Sequence, residues 1–335
     1  MDGDQEPLHH LSIHESALPE RATQGLLEGL RARRVPGRWL YDSPAQAQLW
    51  LEYHRAYAPS SADAAMSALY GEAFAKAAAE LGAQGLHAVS LGCGGGRKDA
   101  ALLTAAGGAG ADGGPANRYS PLDLSPALVL KAVGLVRERF PGLPVNPLVA
   151  DLAAWPNLAD WLADPGPHAQ PRLFSCFGML PNFEPVRLAA YLRGQLGPPD
   201  RLLLSANLSP GGMGRDGKAI LAQYDNPHAM RWYEGALRQL GCVPQDLRLE
   251  VSSRTLAGDS EAWRIVVEAE VLRGFTLRLC GAELPFQKGE RLELFYSNRF
   301  SEGACRALLN CAGLELLQAW RHPAGEEAIF YCRGG

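Results

Sequence analysis

Eighteen consecutive apolar residues occur nowhere in the 335-residue chain, so the sequence offers no membrane-spanning helix. None of its seven cysteines (93, 176, 242, 280, 305, 311 and 332) is in C-x-x-C spacing, and the number is odd. With the eight histidines dispersed, that pattern argues against a metal site and for reduced thiols in a cytoplasm. Sustained Lys/Arg blocks are missing too. The 32 basic and 36 acidic residues leave a net charge of −4, which disfavours nucleic acid or an anionic membrane as partner and favours a small molecule. The opening Met1-Asp-Gly-Asp-Gln-Glu6 has neither the basic nor the apolar region of a signal peptide.

What the chain does have is glycine in one telling place. His87-Ala-Val-Ser-Leu-Gly-Cys-Gly-Gly-Gly-Arg-Lys-Asp99 is an apolar run that breaks into glycines and resumes as the helical Ala100-Ala-Leu-Leu103. It reads as strand, tight turn and helix, with unpaired helix N–H groups facing a closely approaching ligand. A dinucleotide site would want G-x-G-x-x-G and an acid about 20 residues further on. Here position 97 is Arg, and the next strand-end acid, Asp123, lies beyond that distance. A P-loop fails because Lys98 is followed by Asp99. The remaining reading is the Leu-Gly-Cys-Gly turn of S-adenosyl-L-methionine-dependent methyltransferases, with an acid on the second strand for the ribose; alone, the turn is a weak signal.

Around this turn strand and helix alternate. Strands are expected at 86–91, 118–125, 145–149, 173–178 and 201–205, with helices at 63–81, from 100, at 126–140 and at 184–196. Ser125-Pro126 supplies an N-cap and an N1 proline, and residues 107–117 form a Gly/Ala-rich loop. Such alternation requires a parallel sheet with right-handed crossovers and a site at the strands' carboxyl ends, where Gly92, Asp123, Asp151 and Asn182 fall. After residue 218 the period changes to two, in Leu247–Val251, Arg264–Val271, Phe275–Leu279 and Leu292–Tyr296. These predict antiparallel strands wet on one face. A helix from Ser301 and a hairpin over 314–332 close the chain.

The expected fold is therefore α/β: a Rossmann-like class I methyltransferase sheet with a C-terminal antiparallel hairpin and a smaller inserted α+β substrate domain. Its expected parts are an N-terminal helical segment (1–60), the cofactor domain (61–217), the insert (218–297) and the return (298–335). Five aromatics precede the turn, and Tyr41 with Tyr57 or its neighbour are candidates for a substrate pocket, although ordinary core packing accounts for most such rings.

From about Trp39 onward the sequence resembles the histidine N-alpha-methyltransferase family of ergothioneine biosynthesis. The landmarks, in order, are Trp39-Leu-Tyr-Asp42, Leu91-Gly-Cys-Gly94 with Lys98, Pro121-Leu-Asp-Leu-Ser125, Ala150-Asp-Leu152, Phe177-Gly-Met-Leu-Pro-Asn182, Gln223-Tyr-Asp225, Tyr296-Ser-Asn-Arg-Phe300 and Trp320-x-x-Pro323. The resemblance implies S-adenosyl-L-methionine held by Gly92, Gly94, Lys98, Asp123, Ser125, Asp151 and Leu152. It implies amino-acid head-group contacts from Asn182 and Tyr224, with Tyr41 near the amine. Against these stand a helix-capping role for Asn182 and ordinary packing for Tyr224.

Three departures bear on the substrate. The family's imidazole-holding glutamate, in Glu-x-Ser-x-Lys/Arg-Phe, is replaced in Phe295-Tyr-Ser297-Asn-Arg-Phe300; its tyrosine before Pro-Thr falls on Ala58 or, shifted by one, Tyr57; and a pocket methionine becomes Val267. Phe295, Ser297, Val267, Tyr57 and Ala58 are thus the side-chain candidates. The expectation is N-alpha-methylation of a free apolar or aromatic amino acid by a cytoplasmic monomer. Histidine stays open as substrate if a two-residue shift lets Glu293 supply the carboxylate on the same strand face as Phe295. A catalytically silent S-adenosylmethionine-binding protein is the reading of another class.

Overall fold

The computed structural model describes residues 10–58, 63–82, 85–108, 117–163, 170–209, 213–256 and 262–335. In chain order the helices are α1 (Pro19–Arg31), α2 (Pro44–Tyr57), α3 (Ala64–Leu81), α4 (Arg97–Ala105), α5 (Pro126–Arg139), α6 (Pro185–Gln195), α7 (Met213–Ala222), α8 (Pro227–Gln239) and α9 (Glu302–Cys311). The strands are β1 (Ser12–Ile13), β2 (His87–Leu91), β3 (Arg118–Asp123), β4 (Leu148–Val149), β5 (Arg172–Cys176), β6 (Arg201–Asn207), β7 (Leu247–Thr255), β8 (Trp263–Val271), β9 (Phe275–Leu279), β10 (Ala282–Phe286), β11 (Arg291–Arg299), β12 (Leu314–Arg321) and β13 (Glu327–Gly334).

Eight strands make the main sheet, in the order β1-β4-β3-β2-β5-β6-β13-β12. Pairing is parallel from β1 to β6, and the terminal hairpin adds antiparallel to β6. This is the expected Rossmann-like arrangement. Every residue of β2 is buried because helices cover both faces of a central parallel strand. One edge differs from expectation: β1 comes from the polar N-terminal stretch and pairs with β4 over only two residues. The expected third strand over 145–149 is itself reduced to Leu148–Val149 plus a single bridge from Val145 to Tyr119. The loop at 107–117 lies mostly outside the described residues. No described helix is long and apolar enough to cross a membrane.

The insert forms a three-stranded antiparallel sheet, β11-β8-β7, and the hairpin β9-β10. On β8, Val266 breaks the expected alternation because it is buried on one face, and Trp263, Ile265, Val267, Ala269 and Val271 are buried on the other. That face shares a core with the N-terminal helices: Leu26, Leu30 and Leu40 pack with Trp232 and Tyr233 of α8 and with Val267 and Leu292. Trp232 is 1% exposed and donates its indole N–H to the Leu40 carbonyl at 2.6 Å. The N-terminal segment and the insert therefore close one roof over the carboxyl ends of the parallel strands.

Candidate active site

Under that roof lies a cavity of about 1070 Å³. Its floor starts at the glycine turn. Gly92 has φ +75°, so its conformation favours glycine, and a Cβ there would stand 2.6 Å from the Met179 sulfur and displace that side chain. Gly96, with φ +74°, sits against α5, where an added Cβ would be 2.7 Å from Ala132 Cα. The close helix packing that a dinucleotide motif assigns to its third glycine is done here one position earlier.

Asp123 ends β3 beside this turn. Its Oδ2 accepts from Gly94 N at 2.9 Å and its Oδ1 from Ser125 N at 3.0 Å. Burial raises its pKa, and the backbone amides oppose the rise. A carboxylate has about four lone-pair sites, so the fixed group keeps capacity for the two hydroxyls of a ribose. Asp151 and Leu152 line the cavity after β4, with the Asp151 carboxylate accepting from Ala153 N at 2.9 Å. Burial also raises the Asp151 pKa. The N-terminal segment reaches this end, where Ser16 Oγ accepts from Asp151 N at 3.0 Å.

Lys98, in the first turn of α4, lies 4.2 Å from the Tyr70 ring centre and donates to the Tyr70 hydroxyl at 3.0 Å. Tyr70 in turn donates to Glu327. Burial lowers the Lys98 pKa while Glu327 and Asp99 oppose the shift. Asp99 itself is buried, accepts from Ser90 Oγ at 2.9 Å and from the Tyr119 hydroxyl, and is pushed by burial up to about 6.

The substrate half is walled by rings. Tyr41 meets Trp50 and Trp232 edge-on at 5.8 and 5.4 Å, and Tyr53 stacks on Trp232 at 5.5 Å. Burial, with Asp123 and Tyr224 nearby, holds the Tyr41 hydroxyl above its ordinary range, so at neutral pH it is a hydrogen-bonding group and not a base. Tyr57 and Ala58, at the end of α2, line the same cavity, with Tyr57 5.7 Å edge-on from His228.

Asn182 follows β5 in a short 3-10 turn. Its Nδ2 donates to the Tyr296 carbonyl, and the Tyr296 hydroxyl donates back to the Asn182 carbonyl at 2.9 Å. The helix-capping alternative fails because Glu184 caps α6, accepting from Val186 N and Arg187 N. Asn182 Oδ1 is left as an acceptor on the cavity wall. Tyr224 donates to Ser297 Oγ at 3.0 Å and stacks on Phe295 at 6.0 Å.

Two candidates do not reach the wall. Ser125 is fully buried and does not line the cavity; it stands at the N-cap position of α5, but its Oγ makes no capping bond and has no partner. Val267 faces Phe295 across the ladder but is fully buried behind it. Glu293 also lines the cavity, but a bulge overturns the expectation that it shares a strand face with Phe295. Between Glu293 and Phe295 the β11 register slips, so Glu293 opposes Glu268 whereas Phe295 opposes Val267. Glu268 and Val267 are adjacent, hence on opposite faces, and Glu293 does not share the face of Phe295. Trp50, Tyr53, Trp232 and Arg299 also line the cavity and were not expected there. Arg299 carried a usable signal, since Phe295, Ser297 and Arg299 recur at period two.

A class I methyltransferase sheet with a glycine turn, a strand-end acid and a cavity over both defines the class of protein. A family model described as histidine-specific, S-adenosylmethionine-dependent methyltransferase matches residues 22–334, and the chain belongs to that family. It is an S-adenosylmethionine-dependent methyltransferase. No curated protein matches it. Similar solved structures include an S-adenosylmethionine-dependent methyltransferase from Clostridium acetobutylicum ATCC 824 (11% identity, 86% of this chain and 98% of that one, TM-score 0.44). Another is 1,6-didemethyltoxoflavin-N1-methyltransferase of Burkholderia thailandensis, with bound 1,6-didemethyltoxoflavin and S-adenosylhomocysteine (14%, 87% of each chain, TM-score 0.43). Magnesium protoporphyrin IX methyltransferase of Synechocystis PCC 6803, with bound S-adenosylhomocysteine, is a third (13%, 88% and 97%, TM-score 0.41).

Proposed function

We propose that this methyltransferase transfers a methyl group to the α-amine of a free amino acid whose side chain is aromatic. The observation that carries the reading is the setting of Phe295. Its ring is stacked with Tyr224 and lies 5.6 Å from Trp232 and 6.1 Å from Tyr233, where an imidazole would need a carboxylate. A buried imidazole without its partner forfeits roughly 1–3 kcal/mol, whereas an aromatic side chain gains offset packing there.

S-adenosylmethionine supplies the methyl group, from its sulfonium. The chain's task is to place a neutral amine in line with it and to exclude water. Asp123 and the Asp151-Leu152 pair would hold the nucleoside, and Lys98 the cofactor's carboxylate. Asn182 Oδ1 is free to accept from the amine, and Tyr41 lines the same cavity. Tyr224 and Asn182 read atoms common to all amino acids, while Phe295, Tyr57 and Ala58 read the side chain.

The test is a panel of the twenty amino acids and simple amines with S-adenosylmethionine, read by mass spectrometry. Tryptophan, phenylalanine or tyrosine should gain mass faster than histidine. A preference for histidine, or methylation of amines but of no amino acid, would overturn the reading.

A further inference from the structure

Arg299, the last residue of β11, is 2% exposed, yet among the described residues no carboxylate forms an ion pair with it. Its acceptors are all neutral and mostly distant. Nη1 donates to the carbonyls of Leu208 and Glu326 at 3.4 and 3.3 Å, and Nη2 to Gln223 Oε1 at 3.1 Å and the Tyr224 hydroxyl at 3.4 Å. Nε has no partner. The neighbouring acids are engaged elsewhere: Glu326 accepts from Gln223 Nε2 at 2.8 Å, and Glu327 from Tyr70.

A guanidinium cannot shed its proton, so a buried one lacking an anion costs free energy that a bound anion recovers. Arg299 lines the cavity together with Gln223, Tyr224 and Ser297. Its Cζ lies 5.9 Å from the Tyr224 ring centre, and the Phe295 ring lies 6.0 Å from that same centre. The cation and the Phe295 ring thus both lie about 6 Å from one tyrosine ring.

We infer that Arg299 is the specificity-determining anchor for the substrate's carboxylate, the charge that makes an amino acid, and not the corresponding amine or amide, the favoured ligand. Gln223 and Tyr224 hold the guanidinium in place, and Tyr224 shares the anion with it. The inference rests on the amino-acid reading for the ligand's class but not on transfer to its amine. Two carboxylates could meet this group, the substrate's and that of the cofactor's methionine portion. The geometry favours the substrate's, because Lys98 is the cation on the cofactor side, beside the glycine turn.

The experiment is calorimetric titration of the protein loaded with S-adenosylhomocysteine. The titrants are tryptophan, phenylalanine, tyrosine and histidine, each against its carboxamide, at a pH giving equal amine protonation within each pair. The acid of the preferred pair should bind roughly 10- to 100-fold tighter than its amide, as loss of a charge-assisted contact predicts. Arg299→Met should erase that ratio, Arg299→Lys should restore part of it, and S-adenosylhomocysteine should bind all three proteins equally. Equal binding of acid and amide, or binding of neither by wild type that does take S-adenosylhomocysteine, overturns the inference without any variant having to fold. Weakened S-adenosylhomocysteine binding in Arg299→Met that Lys restores would give the anion to the cofactor and overturn it too. An acid preference in a protein that methylates no amino acid would leave the carboxylate site standing and remove the amine-methylation reading.

Discussion

Asn182 and Tyr296 hold each other by two bonds: the asparagine amide donates to the tyrosine carbonyl, and the tyrosine hydroxyl donates to the asparagine carbonyl at 2.9 Å. The pair ties the loop after β5 to β11, so it joins the cofactor sheet to the roof. Asn182→Ala should lower kcat/KM by a similar factor for every accepted substrate, as the proposed contact with atoms they share requires. Tyr296→Phe, which deletes one neutral hydrogen bond of about 1 kcal/mol, should cost several-fold, again evenly. Steady-state kinetics on two accepted substrates checks both, and a substrate-dependent loss would place Asn182 in the side-chain pocket.

Cofactor affinity should depend on Asp123. Asp123→Ala removes the acceptor that two backbone amides hold at the end of β3. S-adenosylmethionine binding should weaken by roughly 1.5–3 kcal/mol, read by calorimetry. Unchanged affinity would mean that the ribose lies elsewhere.

On the proposed reading, substrate choice should depend on Phe295. Phe295→Glu returns a carboxylate to the wall beside Tyr224 and Trp232 and should raise histidine turnover relative to tryptophan by about tenfold or more. Competition between the two amino acids gives the ratio directly. A wild-type preference for histidine that the substitution leaves untouched would refute the role.

Stability should depend on pH through Asp99. Its folded pKa of about 6 lies above the unfolded value of 3.8, so the contribution is fully present below about pH 4 and is lost as pH rises through 6. The span corresponds to roughly 3 kcal/mol. In Asp99→Asn the fall in urea midpoint between pH 4 and 6.5 should be smaller than in wild type. Parallel curves for the two proteins would show that Asp99 ionises freely in the folded chain.

Periodicity and local chemistry alone determined much of this protein. Alternation of strand and helix, the glycines at 92 to 96, Asp123 at a strand end and the period-two insert are short-range features, and parallel-sheet topology follows from them by chirality and connection rules. Most of the candidate site was legible for the same reason, since Gly92, Asp123, Asp151 and Asn182 sit at strand ends where such sheets bind ligands. Tertiary structure decided the rest. A single bulge in β11 separates Glu293 from Phe295, and no period-two count can show which residue a ladder leaves unpaired. Pairing of the polar β1 with β4 depends on an edge left open by distant strands. What surrounds the Arg299 guanidinium depends on residues more than 70 positions away along the sequence, Gln223 and Tyr224 among them. Burial of a charge is a property of the assembled core, which the linear order of residues does not display.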